Sequence, residues 1–161
     1  MSEPQNEPQS ELRHEVTVAV PPQAAFDAFL QLDRIKPREH NLLAVPIAET
    51  VVEPHVGGGI IDLGTDGTQC QWGTVLAYDP PNRFTFSWNI GPDWQTTDDS
   101  DRVSEVEVTF TADGDGTRVT LIHRHLERHG DGWESLRDGV DAADGWPLYL
   151  DRFAAVAAQA G

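Results

Sequence analysis

VSEVEVTF at residues 103–110 and TRVTLIHRH at residues 117–125 alternate apolar and polar side chains, the pattern of paired, half-buried strands. Between them, Asp113-Gly114-Asp115-Gly116 supplies the positive φ that a tight hairpin turn needs. Gly145-Trp146-Pro147 then begins a closing amphipathic helix, because proline is tolerated in the first helical turn. These segments predict a curved antiparallel sheet that grips a C-terminal helix, a fold that usually leaves a cavity between sheet and helix.

The upstream segments predict elements that complete this architecture. A strand at residues 12–20 precedes a short amphipathic helix at residues 22–32, and Pro37 ends any continuation of that helix. Four further strands are predicted between turn signals, at residues 47–52, 59–63, 68–78 and 83–89. A helix that places Trp133, Leu136 and Val140 on one face precedes the closing helix. The order strand, helix, antiparallel strands and helix predicts an α+β helix-grip fold.

Composition limits the class of partner. The chain has 161 residues and a net charge of -16, with 27 acidic residues against 11 basic ones. Because a surface this negative repels phosphate backbones and anionic lipid head groups, we expect neither nucleic acid nor a membrane as a partner. The single cysteine, Cys70, allows no internal disulfide and no cysteine-rich metal site. We expect no cofactor and no metal, and either a monomer or a homodimer.

The chain is predicted to contain one domain. Residues 1–11 are rich in Pro, Glu, Gln and Ser and are expected to form a disordered tail, followed by a ligand-binding domain at residues 12–161. The N-terminus has no signal-peptide pattern, and no apolar run approaches the roughly 18 residues of a membrane span, so a cytoplasmic location is expected. Gly57-Gly58-Gly59 is predicted to be a turn, because no Gly-Lys-Ser/Thr follows it as in a phosphate loop.

Two histidines near the end of the last predicted strand are candidate polar site residues. Alternation places Leu121, His123 and His125 on one face, which is concave if it faces the closing helix. A His-x-His pair can bind a metal when further ligands lie nearby. The alternatives are polar groups in a cavity, or structural histidines at a strand end, and the pattern leaves all three open.

Aromatic residues suggest what the cavity holds. Phe84, Phe86 and Trp88 alternate along one strand and therefore face the same side. The chain has five tryptophans, whose wide apolar faces and single N–H donors suit a cavity for a flat or polycyclic ligand, although ordinary core packing is the alternative.

Several short motifs, in order, resemble a known superfamily. These are Val56-Gly57-Gly58, Gly73-x-Val75, Pro81-x-Arg83-Phe84 with Trp88, Gly116 to Leu121 with His123, and Gly145-Trp146. Over roughly residues 13–158 the chain resembles the START/Bet v 1-like (SRPBCC) superfamily, within its Hsp90-ATPase-activator-homologue branch. The resemblance implies a helix-grip fold, with a sheet wrapped around a long C-terminal helix.

A finer resemblance is to the family of calicheamicin resistance proteins in enediyne antibiotic pathways. It is carried by residues 13–18, 26–30, 105–113 and 139–147, most closely by Gly145-Trp146-Pro147. That family implies binding of a reactive polycyclic natural product in the cavity. Many members have one or two tryptophans just after the first helix, whereas this chain has Ile35-Lys36 before Pro37, so a different cavity mouth is expected.

The predicted function is binding of a hydrophobic or polycyclic aromatic small molecule, for enediyne-type self-resistance or for handling of a biosynthetic intermediate. One alternative is a polyketide cyclase or aromatase with His123 as the acid or base, and a second is an Hsp90-activating interaction module. A non-catalytic binding protein is the favoured class. The predicted ligand-binding residues are Phe84, Phe86, Trp88, Phe110, Leu121, His123, His125, Trp146, Tyr149 and Phe153.

Overall fold

The sheet carries most of the fold. The computed structural model of the protein describes residues 10–37 and 40–160. Within them lie seven strands, namely β1 Leu12–Val18, β2 Ile47–Val52, β3 Gly59–Gly64, β4 Gln69–Asp79, β5 Arg83–Trp88, β6 Ser104–Asp113 and β7 Gly116–Arg124. Each strand pairs antiparallel with its neighbours in the order β1-β7-β6-β5-β4-β3-β2. Because β1 joins β7, the first strand of the chain lies at one edge and β2 lies at the other.

The register aligns the inward-facing side chains in rows across the sheet. Phe86 of β5 lies opposite Val106 of β6, which lies opposite His123 of β7. The hairpin between β6 and β7 closes with Asp113 opposite Gly116, and Gly114 takes the predicted positive φ of 61°. The predicted alternation is therefore confirmed for the strands that determine the fold.

Four helices cover the concave face. They are α1 Pro22–Phe29, α2 Leu32–Ile35, α3 Trp133–Asp141 and α4 Trp146–Ala160. The last of these contacts the other three helices and β1. Gly145 lets α4 begin directly after α3, because a Cβ atom there would lie 2.2 Å from the carbonyl oxygen of Val140. The helix-grip prediction is confirmed, and the glycine of the Gly-Trp-Pro motif is explained by this close approach.

Aromatic rings fill the end of the core beneath α1. Phe26 lies 5.2 Å from Phe110 and 6.4 Å from Phe84 between ring centroids, and Phe29 lies 5.5 Å from Phe153. These rings are all at least 96% buried. Edge-to-face and tilted contacts of this kind add to the free energy of apolar burial, so this part of the core is closely packed.

Several boundaries differ from the predictions by one or two residues, and β1 ends at Val18, two residues before its predicted end. The helix predicted at residues 22–32 is divided into α1 and α2, and β6 extends three residues beyond its predicted end to Asp113. The prediction that His125 continues the last strand is wrong, because β7 ends at Arg124 and His125 adopts a left-handed backbone with φ 64°. Residues 1–9 of the predicted tail lie outside the described residues, as do residues 38, 39 and 161. No helix of the described ranges is long and apolar enough to cross a membrane.

Candidate functional site

A cavity of about 400 Å³ lies between the sheet and the helices, beside the phenylalanine core. Ligand sites of proteins usually measure about 300–1,000 Å³. Its wall is formed by the segment after α2, by side chains of β3, β4 and β5, and by the residues around the start of α4. Trp94, Ala142 and Asp144 belong to the lining and are exposed, so the cavity reaches the protein surface beside them.

Five rings in consecutive contact form the inner wall, and we call them the aromatic arc. Neighbouring ring centroids are 5.3–5.8 Å apart, and three of the four contacts are edge-to-face while the fourth is stacked. The aromatic arc consists of Trp72, Trp88, Trp146, Tyr149 and His40, in that order. All five residues line the cavity. An arc of this kind presents apolar faces to a flat ligand, with few polar atoms among them.

A buried ion pair adjoins the first ring of the arc. Lys36 Nζ lies 3.0 Å from Asp62 Oδ2, and both side chains are at least 95% buried. Asp62 Oδ1 accepts hydrogen bonds from Thr50 Oγ1 at 2.8 Å and from Trp72 Nε1 at 3.2 Å. A buried carboxylate requires such compensation, since an unpaired charge would cost several kcal/mol. The pair places a net-neutral but strongly polar group on the cavity wall.

The Lys36 ammonium has further contacts. It donates a hydrogen bond to the backbone oxygen of His40 and lies 5.9 Å from the centroid of the Trp72 ring. The His40 ring in turn stacks on Tyr149, with Nδ1 3.0 Å from the phenolic oxygen. The lysine, the histidine and the tyrosine therefore connect the segment after α2 to α4 across the cavity.

A chain of buried hydrogen bonds holds Trp146 from behind. Trp146 Nε1 donates to His123 Nδ1 at 3.1 Å, and because an indole nitrogen can only donate, the proton of neutral His123 resides on Nε2. His123 Nε2 then donates to Ser104 Oγ at 2.7 Å, and the Ser104 hydroxyl donates to His129 Nε2 at 2.8 Å. Each of these three donors has an acceptor, which fixes the orientation of the Trp146 ring.

Both histidines of that chain are neutral near pH 7. Burial, together with the nearby His129, lowers the pKa of His123 from 6.5 to about 3. Burial likewise lowers the pKa of His129 from 6.5 to about 4. Protonating His123 would remove the acceptor that Trp146 uses, so the geometry and the protonation state agree.

Trp94 forms one side of the cavity mouth. Its backbone has a left-handed φ of 58°, and 44% of its surface is exposed. The indole lies against Gly139 of α3, where an added Cβ would meet Cζ2 of the ring at 3.0 Å. The absence of a side chain at Gly139 therefore permits the contact between this loop and α3.

The ten predicted ligand-binding residues separate into three groups. Trp88, Trp146 and Tyr149 line the cavity. His123 lies behind Trp146, is fully buried, and has both ring nitrogens bonded to protein groups. The remaining six do not belong to the cavity lining: His125 begins a 3-10 turn, and the other five are buried in the core, namely Phe84, Phe86, Phe110, Leu121 and Phe153.

Sequence reasoning missed several lining residues. Lys36 is the only lysine of the chain and follows the first helix, where many related proteins were expected to have tryptophan. This departure could have indicated Lys36 as a candidate site residue. Asp62 interrupts the apolar strand residues 59–63, and a lone acid in such a strand is a further signal. His40 and Trp94 lie in irregular segments without periodicity, so no pattern could select them. Among the described residues, no group of three or more His, Cys, Asp or Glu side chains is arranged to hold a metal ion.

Comparisons with known proteins agree with this fold. The family model for Activator of Hsp90 ATPase homolog 1-like protein matches residues 19–158. No protein of curated function matches the chain in sequence. Among solved structures, the anthrahydroquino-γ-pyrone synthase Txn09, in complex with a compound designated SUM, is 38% identical, with 91% of this chain and 96% of Txn09 covered and a TM-score of 0.64.

Two further structures share the fold. CalC from Micromonospora echinospora, a self-sacrificing resistance protein, is 28% identical, with 95% of this chain and 97% of CalC covered and a TM-score of 0.66. Protein NE0264 from Nitrosomonas europaea is 14% identical, with 94% of this chain and 96% of that protein covered and a TM-score of 0.64, and shows the fold alone. The chain therefore belongs to the Activator of Hsp90 ATPase homolog 1-like family of the START/Bet v 1-like (SRPBCC) superfamily.

Proposed function

We propose that the protein binds a flat polycyclic aromatic natural product in the cavity beside the aromatic arc. The observation that carries the proposal is the arc itself, five rings in continuous contact around about 400 Å³. Such a wall favours planar apolar ligands because each ring offers a face or an edge for stacking. The setting that we propose is the handling of an intermediate, or self-resistance of the enediyne type, in antibiotic biosynthesis.

The similarity to Txn09 and CalC supports the proposal from outside the structure. The name of Txn09 describes a fused polycyclic product, and that of CalC describes a resistance role. The name of Txn09 agrees with a cavity that accepts polycyclic compounds, and Txn09 is the more similar of the two in sequence. We therefore favour a ligand of the polyketide-derived, fused-ring class.

Tryptophan fluorescence provides a direct test. Titration with 9,10-anthraquinone is expected to quench the fluorescence saturably at micromolar concentrations, whereas phenol, a single ring, is expected to leave it unchanged. Ala142→Phe places a ring in the cavity mouth and is expected to weaken anthraquinone binding by about tenfold or more. Ala112→Phe, at an exposed position of the β6–β7 hairpin, is the matched control. A linear response to anthraquinone, or equal weakening by both variants, would overturn the proposal.

A second candidate function is ring closure of a polyketide-type precursor. The observation that favours it is the His40–Tyr149 pair on the cavity wall, with 3.0 Å between Nδ1 and the phenolic oxygen. A positioned histidine and tyrosine are able to move a proton to or from a reacting oxygen. His123, the acid or base expected from sequence, is unsuited to this role, because it lies behind Trp146 and has a pKa of about 3.

The enzymatic candidate is tested with the precursor that Txn09 converts, by following product formation with mass spectrometry. Tyr149→Phe is expected to lower the rate by about 100-fold while retaining precursor binding, as general acid–base catalysis contributes about 10²–10⁴-fold. Tyr78→Phe removes a phenolic hydroxyl outside the cavity lining and is expected to leave the rate unchanged. Equal rates for Tyr149→Phe and the wild type would exclude Tyr149 as the acid or base.

A further inference from the structure

Trp94 occupies a position where the surrounding turn favours glycine. Residues 91–95 are Gly-Pro-Asp-Trp-Gln, whereas the usual sequence of such a turn has glycine after Pro-Asp. The Trp94 N–H donates to the Gly91 oxygen and the Gly91 N–H donates to the Gln95 oxygen, both at 2.9 Å, and Trp94 has a left-handed φ of 58°. A bulky side chain is disfavoured in this backbone conformation, which short hairpin loops usually give to glycine. The local backbone therefore provides no reason for a tryptophan here.

The turn does not depend on the Trp94 side chain. Its hydrogen bonds are made by backbone groups and by the Asp93 carboxylate, which accepts from the Gln95 N–H at 3.1 Å. The Trp94 side chain is 44% exposed, so a large part of its apolar surface stays in water and contributes nothing to folding. Residues that break a local backbone rule without such a return are expected at functional sites, and ligand clamps are one example.

Trp94 and the aromatic arc line the same cavity but belong to different parts of the fold. The arc comes from the sheet, from α4 and from the segment after α2, whereas Trp94 comes from the connection between β5 and β6 and lies against Gly139 of α3. Within the part of the chain that the structure describes, the indole has no ring contact with the arc. The space between them therefore belongs to the cavity, and a ligand in it is able to reach the accessible indole.

We propose that Trp94 is a ligand clamp: its indole packs on the part of a bound polycycle that lies in the cavity mouth, and it retains the ligand there. The inference rests on the proposed function, because it assumes that a polycycle occupies the cavity. It adds a second contact surface to the site, supplied by one residue of the β5–β6 connection. The conformational cost of a left-handed tryptophan is then offset by the free energy of ligand binding.

The first arm of the test removes the ring with two residues that suit a left-handed backbone. Trp94→Gly and Trp94→Asn are both compatible with that conformation, and asparagine avoids the added flexibility of glycine. Both variants are expected to weaken binding of 9,10-anthraquinone by about tenfold, measured by equilibrium dialysis with ligand absorbance as the readout. Trp94→Phe keeps a ring and is expected to stay within about threefold of the wild type. The matched control is Leu76→Ala, which shortens a 42% exposed side chain outside the cavity lining and should leave binding unchanged.

The second arm measures thermal stability and separates a clamp from a structural residue. Trp94→Gly is expected to leave the melting temperature unchanged or to raise it by up to about 4 °C, because glycine relieves the left-handed backbone, although affinity falls. A lower melting temperature with unchanged anthraquinone affinity would show that Trp94 only supports the fold, and would overturn the inference. Binding by Trp94→Gly and Trp94→Asn as tight as that of the wild type would also overturn it and leave the proposed function standing. Absence of anthraquinone binding by the wild type would refute the proposed function, and the clamp with it.

Discussion

Acid should destabilise this protein through two buried histidines that belong to the chain behind Trp146. His123 is completely buried and His129 is 5% exposed, and their pKa values in the folded protein are about 3 and about 4. In the unfolded chain both titrate near 6.5. Below pH 6.5 the unfolded state therefore binds protons that the folded state does not, and stability falls with pH until the folded-state pKa values are reached.

The expected magnitude follows from linkage. Each histidine lowers the free energy of unfolding by about 1.4 kcal/mol for every pH unit below 6.5. At pH 5.0 each histidine therefore lowers it by about 2 kcal/mol, and the pair lowers it by about 4 kcal/mol. A small domain has a total stability of about 5–15 kcal/mol, so the loss is a large fraction of it. Above pH 6.5 both states are neutral at these sites, and the two histidines add no pH dependence.

The assay compares free energies of unfolding, from urea denaturation, at pH 7.5 and pH 5.0. The double variant His123→Gln with His129→Gln keeps side chains that donate and accept hydrogen bonds but do not titrate. Between pH 7.5 and pH 5.0 its free energy of unfolding should fall by about 4 kcal/mol less than that of the wild type. Lowering the pH makes the net charge of -16 less negative in both proteins, so its effect on stability cancels in the difference. His55→Gln, at an exposed position, should behave as the wild type. A difference below about 1 kcal/mol between the double variant and the wild type would refute the assignment of the two neutral histidines.

Three further substitutions probe the site and its supports. Ser104→Ala removes the hydroxyl between the two histidines and should lower the free energy of unfolding by about 1–3 kcal/mol, whereas Ser100→Ala on the surface should not change it in the same urea assay. Lys36→Met leaves the Asp62 carboxylate without its cation and should cost about 3–5 kcal/mol, of which a second change, Asp62→Leu, should recover most in a double-mutant cycle. Gly145→Ala brings a Cβ atom against a backbone oxygen and should lower stability by about 1–3 kcal/mol in a thermal melt, and an unchanged melting temperature would contradict the tight α3–α4 junction.

Strand positions could be predicted well because alternation is a property of neighbouring residues. β2 has the predicted bounds, and β7 differs from its prediction by one residue at each end. The hairpin at Gly114 was predictable for the same reason, since its φ is determined by the two-residue turn. His125 was misplaced because alternation does not indicate where a strand ends. Its left-handed backbone leads directly into the 3-10 turn at Leu126–His129.

The candidate site was predictable only in part. The aromatic character of the pocket and the participation of Trp88, Trp146 and Tyr149 agree with periodicity and with the helix start. Phe84 and Phe86 share a strand with Trp88, and no local pattern distinguishes them from it, yet they belong to the core whereas Trp88 lines the cavity.

The linear order of residues was enough to establish the alternation of the strands, the place of the closing helix and the family, because these depend on neighbours along the chain. The position of the cavity depends on long-range packing, because the phenylalanine rings of α1, α4 and the sheet fill part of the space between sheet and helices and leave the part beside the aromatic arc open. The Lys36–Asp62 pair and the Trp146–His123–Ser104–His129 chain join segments that are remote in sequence, so their contacts exist only after the sheet has curved. Burial then sets the protonation of the histidines, because the low polarity of the core disfavours their charged form.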